Sequence, residues 1–172
     1  MTKSARKVSR AKANAAVESL SILGTSARMG PIALWVYADA YRNAAKLLGA
    51  TPATYDPVRY YLICHAIELA LKAYLAVCGS TMADLSDAAL GHNLDAILKE
   101  AEAKNVAHLV PLSPVEAGEI VKASNYYSGK VFEYPAVAEA MKAYSGRPDF
   151  DLLVCVADKL VVGTEASCKA AR

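Results

Sequence analysis

The sequence predicts an all-α protein, an up-and-down helical bundle of about five core helices, and three observations carry that prediction. Apolar residues recur at helical spacing in one segment after another. Helix-opening residues (Pro31, Asp56, Asn93, Ser113, Asp149) and helix-closing glycines (Gly49, Gly79, Gly129) bracket those segments. No run alternates apolar and polar residues as a half-buried strand would. At 172 residues, 55 % hydrophobic and 21 % charged, the chain is long enough and apolar enough for one domain with a substantial core. The expected organisation is a basic N-terminal tail or extra helix over 1–29, a single bundle over 30–163 and a C-terminal tail over 164–172.

The first core helix opens at Gly30-Pro31 and closes at Leu48-Gly49, with Leu34, Ala38, Tyr41, Ala45 and Leu48 forming one buried stripe. Asp56-Pro57 caps the second, which runs to Cys78-Gly79. A polar stretch follows. Asn93 then caps a helix with Leu94, Ile97, Leu98 and Ala101 on one face. Ser113-Pro-Val-Glu116 is a capping box that opens a helix ending near Gly129. A short helix is expected from Pro135 to about Tyr144. Arg147-Pro148-Asp149 precedes the last helix, with Leu152, Leu153, Val156, Ala157, Leu160 and Val161 facing inward.

Charge is unevenly spread. The net charge is +2, yet Lys3, Arg6, Lys7, Arg10 and Lys12 all precede the first acid, Glu18. The basicity therefore belongs to a tail, suited to phosphates or an anionic surface, or simply to a solvated end. The rest of the chain is slightly acidic. It shows no apolar run of signal-peptide length and no uncharged apolar stretch of the roughly 18 residues that span a bilayer. No membrane association and a cytoplasmic location are expected. Four cysteines without a CxxC pair or zinc spacing read as reduced, largely buried thiols.

The second helix holds the candidate site. It is apolar on most of its circumference, the mark of a central helix, yet Tyr61, His65, Glu68 and Lys72 fall on one stripe. Charges there must pair or be solvated, because an unpaired buried charge is too costly. Glu68 and Lys72 stand at i and i+4 in the favourable order, and His65 lies one turn before Glu68. Two accounts stay open: a mutually satisfied polar seam, or the lining of a groove or dimer interface. His65-x-x-Glu68 is compatible with a metal, but further ligands at recognisable spacing are missing, so no metal and no cofactor are expected. The stretch SNYYSGKVFEYP places Tyr126, Tyr127, Phe132 and Tyr134 beside Lys130. That composition suits a stacked nucleobase, a dimer contact, or a loop folded onto the bundle.

The second helix reads HAIELALKAYL, and after a glycine-containing loop the next helix opens GHNLDAILKEA. This pair resembles the HEPN superfamily, in which a Glu-x-x-Leu-Lys-like helix precedes a His-Asp-Leu helix start. Glu68, Leu71 and Lys72 match the first element. His92, Asn93 and Leu94 match the second, with Asn93 replacing Asp at the cap. The resemblance covers roughly residues 31 to 130. It implies a helical bundle that often dimerises, and involvement in RNA cleavage, toxin–antitoxin pairs or anti-phage defence. Ribonuclease members carry an Arg, then four to six intervening residues, then a His; Arg59 and His65, with five residues between them, fit that string.

Three considerations weigh against that match. Chance pairing at this spacing is common, and family ribonucleases usually carry the motif on a later helix. The two side chains would also lie about 120° apart around the helix and about 9 Å along it. Arg59 sits in the first turn after Asp56-Pro57, so a surface pair with Asp56 is its simple alternative role. The expected function is a non-catalytic binding or regulatory module, as a homodimer, with a nucleic acid or protein partner. The alternative is a metal-independent ribonuclease using Arg59 and His65.

Overall fold

The computed structural model describes residues 30–49, 55–134 and 146–171. Among them are six α-helices: α1 (Pro31–Leu47), α2 (Pro57–Val77), α3 (Met82–Ser86), α4 (Leu94–Ala103), α5 (Pro114–Tyr127) and α6 (Phe150–Ala170). One 3₁₀ turn, Val106–His108, follows α4, and no strand occurs in the described residues. The protein is an all-α helical bundle. The expected helix at Pro135–Tyr144 and the basic tail lie outside the described residues.

The caps act where the sequence places them. The Asp56 carboxylate accepts from the backbone N–H groups of Val58 and Arg59, Asn93 accepts from Ala96, and Asp149 from Leu152. Ser113 and Glu116 form the complete capping box of α5. The polar stretch after α2 is not featureless: Thr81 and Asp84 make a second capping box and open α3, which buries Leu85.

Helix α2 is the axis of the molecule, packed by α1, α6, α4 and α5. Ile63, Ile67, Leu71 and Leu75 are fully buried along it, each burial stabilising by roughly 1.5–3 kcal/mol. Contacts between Ala45 and Arg59 and between Tyr41 and His65 set α1 antiparallel to α2. Helix α6 also runs antiparallel to α1, with Asp158 facing Lys46 and the Trp35 indole donating to the Val161 carbonyl. Gly163 lets α6 approach the segment after the 3₁₀ turn, since a Cβ there would collide with Val110 Cγ2.

Some expectations are corrected. The stripe on α1 holds for Leu34, Ala38 and Ala45, but Leu48 is 52 % exposed because the helix ends one residue before it. Helix α6 continues past the expected boundary at 163 to Ala170, burying Thr164 and Cys168. Cys64 and Cys168 are buried, whereas Cys78 and Cys155 are exposed. Burial pushes both buried thiols up, Cys168 to about 11. By length and composition α2 alone, among the described residues, meets the requirement for a membrane span. Most of its surface is enclosed by the other helices, as befits a core helix.

Candidate functional site

Phase along α2 turns Glu68 inward, where it is 2 % exposed. A carboxylate this far from water requires donors, and four side chains from three parts of the chain surround it. Lys72, one turn on and 8 % exposed, donates to Oε1 at 2.7 Å and also to the Gly91 carbonyl at 2.7 Å. The Tyr127 hydroxyl, from the end of α5, donates to Oε2 at 2.7 Å. His92, just before α4, places Nδ1 3.0 Å from the same oxygen. His65 Nδ1 lies 2.7 Å from the Tyr127 hydroxyl and 3.4 Å from Oε2.

The partners fix the tautomers. A carboxylate only accepts, so His92 carries its proton on Nδ1 and donates. The one hydroxyl proton of Tyr127 goes to Glu68, so His65 also carries a proton on Nδ1 and donates to the tyrosine oxygen. Neither Nε2 has a hydrogen-bond partner among the described residues. His92 is half exposed, and His65 keeps 17 % of its side chain accessible between two rings. Tyr41 meets it edge-on at 4.5 Å and Tyr61 stacks at 5.7 Å.

Burial by itself would push the Glu68 carboxyl up. The hydrogen bonds and charge supplied by His65, Lys72 and His92 outweigh it and hold the group at about 2. Burial and the adjacent Glu68 charge push the Tyr127 phenol far up, so it remains a donor. Glu68 is therefore ionised and saturated, a poor proton shuttle but a firm anchor. Asn93 caps α4 and accepts from the Ser124 hydroxyl at 3.1 Å, which ties this junction to α5.

The structure brings together Tyr61, His65, Glu68, Lys72 and His92, with Asn93 beside them. It places Arg59 elsewhere. The Arg59 guanidinium lies 4.2 Å from the Phe150 ring centre and its Nε donates to the Ala45 carbonyl. Asp56 is engaged with backbone N–H groups rather than in the expected pair with Arg59. The aromatic stretch divides as well. Tyr127 enters the Glu68 cluster, Phe132 is buried and stacks with Tyr60 and Tyr126, and Lys130 and Tyr134 are exposed.

Two members escaped the sequence reading. Tyr41 reads as core from its stripe, and no local spacing announces that Tyr127 reaches Glu68 across 59 residues. Among the described residues no group of three or more His, Cys, Asp or Glu side chains is arranged to hold a metal. The space between the imidazoles and Glu68 is filled by Nδ1–H donors. Compared with known proteins, the chain matches no family model, no curated protein and no solved structure.

Proposed function

We propose that this is a HEPN-like helical-bundle protein that acts as a non-catalytic binding module, as a homodimer that engages a protein partner. The observation that carries this reading is the saturation of Glu68. Its two oxygens accept from Lys72, Tyr127 and His92, so the ionisable residues of α2 are spent on holding α4 and α5 in place. What they leave outward is a recognition surface of Tyr41, Tyr61, the His65 edge and His92. Tyrosine and histidine rings of this kind combine apolar area with a polar tip, as interface anchors do. The slightly acidic character of the chain beyond its first residues favours a protein over a polyanion.

One observation favours the second reading, a metal-independent ribonuclease using Arg59 and His65. His65 is held through Nδ1, and its Nε2 has no hydrogen-bond partner among the described residues, as a general base would be placed. Arg59, packed on Phe150, would then have to act from another copy. A cleavage assay on structured and single-stranded RNA separates the two readings, run with wild type and with His65→Ala of confirmed helicity. No cleavage by either protein is expected; cleavage lost in His65→Ala would overturn the binding-module reading. Light scattering at micromolar concentration should give the mass of two chains, and a single-chain mass would remove the dimer from the proposal.

A further inference from the structure

A cleft of about 350 Å³ opens beside α5, and none of its described lining residues belongs to the Glu68 cluster. Lys122, Asn125 and Tyr126 line it from the helix at i, i+3 and i+4, and Val131 and Gly146 complete the described lining. The Tyr126 ring is fixed from behind by Phe132, 5.8 Å away and inclined by 10°, and Phe132 stacks in turn on Tyr60 at 5.4 Å. The wall is closed by the Val131 N–H donating to the Tyr126 carbonyl at 2.9 Å. Lys122 is oriented by Glu119, which is buried and also accepts from the Asp149 N–H at 2.7 Å. The Lys122 side chain is 55 % exposed, leaving ammonium hydrogens to offer. Asn125 is exposed, and its amide has no hydrogen-bond partner among the described residues.

A fixed aromatic plane, an exposed amide, a cation and one apolar wall make a chemically specific set. The volume lies at the small end of ligand sites. Glu119 already offsets part of the Lys122 charge, so the cleft suits one negative charge and not the two of a phosphate monoester. We propose that it binds a small aromatic monocarboxylate of one or two rings. The ring lies on Tyr126 and Val131, the carboxylate meets Lys122, and the Asn125 amide takes a ring substituent or the second carboxylate oxygen. This site is independent of the Glu68 cluster and of the function proposed above.

Titration calorimetry on the full chain tests it, with benzoate, salicylate and indole-3-acetate as probes and with benzamide and adenosine monophosphate as controls. Saturable one-to-one binding of at least one acid is expected, with a dissociation constant on the order of 10–100 µM. Benzamide should bind at least about tenfold more weakly than benzoate, because it lacks the charge that Lys122 reads. Asn125→Ala and Lys122→Met should each weaken binding about tenfold, the first with no change in melting temperature. The proposal is overturned if no acid binds below about 5 mM. It also fails if benzamide equals benzoate, if adenosine monophosphate binds more tightly than the acids, or if both variants bind as wild type does.

Discussion

Two aromatic regions lie side by side in this molecule and are built on opposite physics. One gathers Tyr41, Tyr61, His65, His92 and Tyr127 around the Glu68 carboxylate. The other gathers Tyr55, Tyr126 and Phe150 around Phe132 and Tyr60, with Arg59 and Arg147 lying over rings at its edge. The two regions draw on consecutive residues of the same helices, Tyr60 and Tyr61 on α2, Tyr126 and Tyr127 on α5. A rotation of about 100° per residue sends each neighbour to a different centre. Residue type did not decide these environments; helical phase did.

The comparison can be broken first at its charged centre. Glu68→Ala removes the acceptor of three donors and strands Lys72 in the interior, so a loss of about 3–5 kcal/mol is expected in urea unfolding. Phe132→Ala empties the apolar centre and should cost about 3–4 kcal/mol, with no dependence on pH. A cost for Phe132→Ala that varied with acidity would undo the distinction drawn between the regions.

Acid titration sharpens the contrast. Glu68 is held at about 2, below its ordinary value of 4.5. The stability from its ionisation is therefore complete above pH 4.5 and is lost as pH falls through about 2, amounting to about 3 kcal/mol. Glu68→Gln should flatten the unfolding free energy across that window. It should not flatten it fully, because the hydrogen bonds from Lys159 and Ser113 hold Glu116 at about 2 as well. An unchanged acid limb in Glu68→Gln would show that the carboxylate is not anchored as described.

Smaller changes probe single contacts. Tyr127→Phe keeps the ring and removes the hydroxyl between Glu68 and His65, for an expected loss of about 1–2 kcal/mol and a changed His65 tautomer balance by nitrogen NMR. Arg59→Met lifts a guanidinium from Phe150 and should cost about 0.5–1 kcal/mol, leaving the His65 resonances where they are. Movement of those resonances in Arg59→Met would tie the two regions together.

Much of the architecture was legible because capping chemistry is local. Asp56, Asn93, Asp149 and the Ser113–Glu116 box announce helix starts within four residues. The Glu68–Lys72 pair was readable for the same reason, being one helical turn. Helix α3 was missed because it is only five residues long and its box uses Asp84 where Glu or Gln is usual. The extension of α6 had a signal, since Leu160, Thr164 and Cys168 repeat every four residues; the Thr164 hydroxyl satisfies itself on the Leu160 carbonyl. The convergence of Tyr127, His92 and Glu68 was not legible, because it depends on how three elements cross and not on any spacing within one. The single string Arg59 to His65 joins residues that belong to different centres.

The bond from Lys72 to the Gly91 carbonyl, with His92 on Glu68, returns the chain to the helix it has just left. Everything from Gly79 to Leu90 is thereby an excursion that leaves from the end of α2 at Val77 and comes back against Lys72 and Glu68, further up the same helix. Its outermost residues, Asp87 to Ala89, follow α3 and are exposed. A peptide bond opened there leaves both new ends moored a few residues away, so a nicked molecule should migrate as one particle. The same place is the natural position for new termini in a circularly permuted version of this protein.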